Sequence, residues 1–248
     1  MPQAKLETQV LKRIIKLAGC STKTKSLLDP IKMVFKSNEV NVAVSDEAKT
    51  LACILNAKGV AEVDEEFEVV VSPKVILRVL DDYLKFSNYV TLKVSDDKLV
   101  LDSGDSRYSE PLMVADIYDV SNMINPDFYM APKINADVAG VYAFSIEELK
   151  NLGTEDYVNF LVSDRLVVEI PVGSGVVTKT IPSNVIRKHQ GSPIKYVLSK
   201  PVLKLIVSVL SGSTYFVFMH KDNSPAPVII YQEKEKVKVA YWIVPLET

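Results

Sequence analysis

Residues 71–80 read VSPKVILRVL, and residues 198–207 read LSKPVLKLIV. In both, a Ser stands where a helix N-cap belongs and a Pro follows within two positions. Apolar residues then recur at three- and four-residue spacing. Upstream, Val40–Asp46 (VNVAVSD) is echoed by Val158–Asp164 (VNFLVSD), a strand pattern that runs into an acidic turn. Two echoes in the same order predict two halves, each built as helix, strands, helix, strands. The remaining helices are expected at residues 6–18 (LETQVLKRIIKLA) and 146–152, the latter after Ser145, with Glu148 completing a capping box. The helices at the repeat are expected over 73–85 and 200–211, the second ending at Gly212.

Nearly everything else is short and β-rich. The first half carries IKMVF, VNVAV, TLACIL, FEVVV, YVTLKV, KLVLDS and SRYSEPLM. The second carries DVAGVYAF, YVNFLV, LVVEIPV, VVTKTI, IKYVL, TYFVFM, PVIIY and VKVAYWIV. Ser37-Asn38, Asp96-Asp97, Gly104-Asp105 and Asp222-Asn223 supply turns between them. This is an α+β chain of antiparallel hairpins with few helices. Residues 113–133, with Pro126 and Pro132, form no element and are expected to be a connector. The expected division is residues 1–112, connector 113–133, and residues 134–248.

The full chain has 248 residues, 48% of them hydrophobic and 24% charged, enough for a sizeable core. Twenty-nine basic residues against 31 acidic ones give a net charge of −2, which argues against a protein that coats nucleic acid by bulk charge. The charge is segregated, however. Residues 1–25 hold Lys5, Lys12, Arg13, Lys16, Lys23 and Lys25 against Glu7. Like-charge pairs at helical spacing (Lys12/Lys16, Lys74/Arg78, Lys200/Lys204) each weaken a helix by roughly 0.2–0.5 kcal/mol, and a polyanion partner would offset that. With no aromatic stacking set beside them, they suggest phosphate tracking without base reading.

Catalytic signatures do not emerge. His189 and His220 have no Cys or His at ligand spacing, and no phosphate-binding loop occurs. Gly173-Ser174-Gly175 reads as a hairpin turn, and Glu62, Asp64, Glu65, Glu66 and Glu68 as a solvated acidic loop. The chain is therefore expected to be a binding protein rather than an enzyme, with no metal and no cofactor. Cys20 and Cys53 cannot form a disulfide framework and suit a reducing compartment, although the pair could bridge. MPQAKLETQV lacks a signal-peptide pattern, and no apolar run approaches the ~20 residues of a membrane span. The expected location is cytoplasm or nucleoid, or the nucleus in a eukaryote.

Several stretches together resemble DNA sliding clamps of the archaeal and eukaryotic PCNA type. Leu11–Ile15 (LKRII) is similar to the first basic helix of these clamps, and Val42–Leu51 (VAVSDEAKTL) to the strand–turn–strand after it. Residues 113–133 resemble their interdomain connecting loop, and Val239–Glu247 (VAYWIVPLE) their C-terminal strand. The resemblance implies the DNA-clamp fold, with two pseudo-repeated domains, each with two helices on antiparallel sheets, that forms a ring by self-association into a trimer. It also implies a processivity factor that encircles double-stranded DNA, tethers DNA polymerase and other clamp-binding proteins, and is opened by a clamp loader ATPase. A subunit of a checkpoint-type or heterotrimeric clamp, and a monomeric two-domain adaptor that never holds DNA, stay open beside it.

Lys12, Arg13, Lys16, Arg78, Lys85, Lys150, Lys200 and Lys204 are the expected DNA-facing residues. By the resemblance, subunit contacts fall on Arg107, Tyr108 and Ser109 and on Val177, Thr178 and Lys179. A pocket for partner peptides falls on Ala52, Met123, Ile124, Pro227, Trp242 and Val244.

Overall fold

The computed structural model describes residues 1–22, 24–115, 136–153, 155–222 and 224–247. Among these, residues 1–46, 52–115 and 233–239 cluster as one compact unit, and residues 47–51, 136–232 and 240–247 as a second.

In unit 1, β1 (Gln3–Glu7) leads directly into α1 (Thr8–Ala18). Next come β2 (Ile31–Lys36), β3 (Glu39–Ser45), β4 (Leu51–Lys58), β5 (Ala61–Val63) and β6 (Phe67–Val71). After α2 (Pro73–Asp82) follow β7 (Tyr89–Ser95), β8 (Lys98–Asp102) and β9 (Arg107–Pro111). The strands pair antiparallel in the orders β5-β1-β7-β8-β9 and β4-β3-β2-β6.

Unit 2 opens with β10 (Asp137–Ser145) and a 3-10 turn (Ile146–Leu149). It continues through β11 (Tyr157–Val162), β12 (Leu166–Val172), β13 (Gly175–Thr180), β14 (Asn184–Arg187) and β15 (Ile194–Ser199) to α3 (Lys200–Val209). Then come β16 (Ser213–Lys221), β17 (Ser224–Lys234) and β18 (Val237–Ile243), of which residues 233–239 cluster with unit 1. Its ladders, again antiparallel, run β13-β12-β11-β15 and β14-β10-β16-β17. Strand, helical turn, five strands, helix and three strands thus occur twice in the same order. The repeat read from the sequence is a repeat of architecture.

Helix burial follows from spacing. Leu11, Ile14, Ile15 and Ala18 form one buried stripe of α1, while Lys12, Arg13 and Lys16 stay half-exposed on the other side. Ile76, Leu77 and Leu80 do the same for α2, and Leu203, Ile206 and Val207 for α3. Each fully buried Leu or Ile stabilises the unit by about 1.5–3 kcal/mol. The end of α1 touches the start of α2 because residue 19 is Gly: a Cβ there would sit 2.6 Å from Pro73 Cγ. Cys20 and Cys53 are both buried and unbridged in this unit, and burial pushes the Cys20 thiol up to about 12, so it stays protonated at neutral pH. In unit 2 the core is aromatic. Phe160, Phe216 and Phe218 have ring centroids 5.8–6.2 Å apart, and the Tyr196 hydroxyl donates to the Met219 carbonyl at 2.6 Å.

Three helix expectations need correction. The segment 6–18 begins as a strand: β1 lies between β5 and β7, with Ala4 and Leu6 buried and Lys5 and Glu7 exposed. Period-two burial of Leu6 outweighs its helical spacing to Val10. The helix expected over 146–152 is a single 3-10 turn. Ile146, Leu149 and Leu152 are buried at a spacing of three, the period of a 3-10 helix, and Gly153 (φ +71°) ends the run. Its capping box does not form: Ser145 bonds Glu147, while Glu148 accepts from Lys179 at 2.7 Å. Among the described residues the chain therefore has three α-helices, not four. At the third correction, α2 stops at Asp82 and α3 at Val209, each a few residues early, and the following Leu84 and Leu210 are still buried. Strands β1, β5 and β14 had no strong sequence signal, because each is short or merged with a neighbouring pattern.

Phe160 is fully buried and touches two other core rings. Phe160→Ala should lower the stability of unit 2 by about 3–5 kcal/mol, read as a shift of the urea midpoint.

Candidate nucleic-acid face and assembly edges

In unit 1, α1 and α2 lie side by side, joined at their polar faces by an ion pair between Lys12 and Asp81. Arg13 holds the Glu235 carboxylate and donates from Nη2 to the Lys234 carbonyl at 3.1 Å. Lys16 is half-exposed, and Arg78 and Lys85 are exposed. The Lys85 ammonium lies 4.8 Å from the centroid of the exposed Phe86 ring. The structure therefore gathers Lys12, Arg13, Lys16 and Arg78 around one helix pair. It also adds two carboxylates, Asp81 and Glu235, that the sequence reading did not assign to them. Asp81 was visible as an acid on the polar stripe of α2. Glu235, in a turn far along the chain, carried no such signal.

In unit 2, α3 packs against the 3-10 turn. Lys204 and Lys150 are exposed. Lys200 departs from the expected exposed stripe: it is only 4% exposed, and its ammonium donates to the Gly153 carbonyl at 3.4 Å. As the first residue of α3, directly after β15, it points its side chain back over the loop before β11 instead of outward.

Two of the proposed contact segments are bare strands. β9 ends the five-stranded order of unit 1, and β13 ends the order β13-β12-β11-β15 of unit 2. On β9, Arg107 and Ser109 are exposed. Tyr108 donates its hydroxyl to Glu110 Oε2 at 2.8 Å. Partial burial and that neighbouring carboxylate push its phenol up to about 12. On β13, Val176 and Val177 are 58% and 52% exposed, and Thr178 is exposed. Lys179 alone is tied down, donating to the Glu148 carboxylate and carbonyl at 2.7 and 3.1 Å. A β-branched strand with one open edge and exposed Val side chains is a ready template for another strand.

The residues expected for the peptide pocket fall in both units. Ala52 is half-buried in β4 of unit 1. In unit 2, Pro227 is half-buried and Val244 is 44% exposed. Trp242 is 9% exposed, and its indole N–H is buried without an acceptor. Met123 and Ile124 lie outside the described residues. Among the described residues no group of three or more His, Cys, Asp or Glu side chains is disposed to hold a metal ion. His189 and His220, unrelated in sequence, meet edge to face with ring centroids 5.9 Å apart, and His189 Nε2 is 3.0 Å from the Ser192 carbonyl oxygen. Two imidazoles alone do not complete a metal site. Among the described residues no helix is long and apolar enough to cross a membrane.

No protein-family model and no curated protein sequence matches the chain. Solved structures do. A. fulgidus PCNA, in complex with the C-terminal region of FEN-1, is 16% identical, with 100% of this chain and 99% of that chain covered and a TM-score of 0.70. PCNA from Entamoeba histolytica is 13% identical, with 99% of each chain covered and a TM-score of 0.71. The DNA polymerase III beta chain of Streptococcus pneumoniae is 15% identical with a TM-score of 0.74; 98% of this chain is covered, spanning 64% of that longer chain. At these identities the likeness is one of fold, and the fold of this chain is that of the PCNA-type sliding clamps.

Proposed function

We propose that the chain is a sliding clamp. Three copies, joined head to tail, close into a ring around duplex DNA and tether DNA polymerase and other replication and repair enzymes to it. Residues 1–112 and 134–248 act as its two clamp domains, joined by 113–133. What carries this reading is the end-to-end match to PCNA structures in a chain that leaves β9 in unit 1 and β13 in unit 2 among the strands at the ends of their sheets. A head-to-tail contact uses two different surfaces, and it closes into a ring when its rotation divides the circle. Pairing β9 of one copy with β13 of the next supplies such a contact. It satisfies the open backbone groups of both strands and covers Val176 and Val177.

A closed ring is linked to DNA topologically, so each phosphate contact can be weak while the effective concentration of a tethered enzyme stays high. Lys12, Arg13, Lys16, Arg78, Lys85, Lys150 and Lys204 are the proposed phosphate contacts; Lys200 is set aside because it is buried. No catalytic step is called for. Opening the ring falls to a separate loader ATPase. Partner peptides dock at Pro227, Val244 and the largely buried Trp242 in unit 2, with Met123 and Ile124 of the connector as further anchors.

Sedimentation of the purified chain should give the mass of a trimer. Val177→Pro with Thr178→Pro should reduce it to a monomer while far-UV circular dichroism is unchanged; a trimer that survives both substitutions would place the interface elsewhere. A chain that stays monomeric alone and trimerises only with other clamp subunits would make it part of a heteromeric ring.

Replacing Lys12, Arg13 and Lys16 with Ala should reduce polymerase stimulation and lower the slope of log affinity against log salt by about 0.9 for each phosphate no longer neutralised. Sequence preference should not change. Full activity of the triple variant at moderate salt would remove α1 from the DNA face.

A peptide from the C-terminus of a cognate polymerase should shift the fluorescence of Trp242, the only tryptophan in the chain. Met123→Ala with Ile124→Ala should weaken that binding at least tenfold and leave the trimer intact. Undiminished affinity would move the docking site off the connector.

A further inference from the structure

Two of the three cations of α1 are already occupied. Lys12 is ion-paired with Asp81 of α2, whose side chain is 11% exposed against 35% for Lys12. Arg13 is ion-paired with Glu235, 69% exposed, and is steadied by the Lys234 carbonyl at 3.1 Å. All of these residues belong to unit 1. Lys16, one turn beyond Lys12, makes no ion pair among the described residues.

On the footing that α1 faces duplex DNA as inferred above, we propose that Asp81 and Glu235 are built-in competitors of the DNA phosphates for Lys12 and Arg13. The Arg13–Glu235 pair is open to solvent at its carboxylate, and exposed pairs are weak and exchange readily. The Lys12 side chain, 35% exposed, is reachable although Asp81 is largely covered, so the dense charge of a duplex can compete for both cations. Each displacement leaves a carboxylate beside the phosphate, and like charges at that distance repel. A phosphate therefore gains at each of these two cations only the difference between two similar attractions. Among the described residues Lys16 has no such competitor, and there it gives the full attraction. The consequence is a face that recognises a phosphate backbone but grips it weakly at Lys12 and Arg13. Such a face favours movement along DNA over arrest at one position. The rest of the local charge does not undo this. Arg78 and Asp82 on α2 oppose one another in sign, and Lys234 beside Glu235 contributes its backbone carbonyl to Arg13.

The test uses the purified full-length chain and a fluorescent linear duplex, with anisotropy read across a salt series. Asp81→Asn and Glu235→Gln keep the shape of each side chain and remove its charge. Each should tighten binding about three- to tenfold at low salt and steepen the slope of log affinity against log salt by about 0.9, the signature of one further phosphate contact. Asp105→Asn makes the same change of charge in the exposed β8–β9 turn and should give less than half that effect. If Asp81→Asn and Glu235→Gln tighten binding no more than Asp105→Asn while Lys12→Ala with Arg13→Ala weakens it, the competition is refuted and the DNA face stands. If Lys12→Ala with Arg13→Ala has no effect, α1 does not face DNA, and both readings fall together. Glu235 lies in an exposed turn, so its variant keeps the test valid if Asp81→Asn disturbs the helix pair.

Discussion

Each described α-helix has one buried apolar stripe, and that burial decides where most of its cations go. Leu11, Ile14, Ile15 and Ala18 must face inward, so Lys12, Arg13 and Lys16 cannot. The rule repeats in α2, and in α3 for Lys204 but not for Lys200, which the loop before β11 buries. Burying an apolar side chain is worth about 1.5–3 kcal/mol, several times a like-charge penalty on one helix. The fold can therefore tolerate crowded cations on a helix as long as the opposite stripe is buried. Function uses what packing leaves over.

The sheets follow a second economy. An interior strand has both edges paired, but every open sheet has two ends, and each end exposes N–H and C=O groups along one side. β9 carries Pro111 at its last position, which removes one donor at that end. β13 has no such device along its Val-rich length, and Lys179 is turned aside to Glu148. A monomer built this way would be prone to association. In the proposed ring, pairing of β13 with another copy's β9 would convert that liability into a closed assembly.

Electrostatics tempers the whole. If the chain acts as the proposed clamp, its net charge of −2 calls for local positive charge, and excess local charge would bind too firmly for a moving ring. On that reading, partnering Lys12 with Asp81 and Arg13 with Glu235 would balance the two demands within one unit.

The sequence by itself determined the repeat, the α+β class, most strands and the cores of three helices. FEVVV, YVNFLV and LVVEIPV become β6, β11 and β12 without adjustment, and Gly173-Ser174 becomes the β12–β13 turn. These are local patterns of period, turn chemistry and capping, and a chain carries them before it folds. Tertiary structure decided the rest. It drew Gln3–Glu7 into a strand between β5 and β7, because backbone groups in a sheet interior need partners on both sides. It shortened the helix at Ile146 to one turn and buried Lys200. It also brought Glu235 to Arg13 across 222 positions of chain. A charge's partner depends on where distant segments meet, and no spacing along the sequence encodes that.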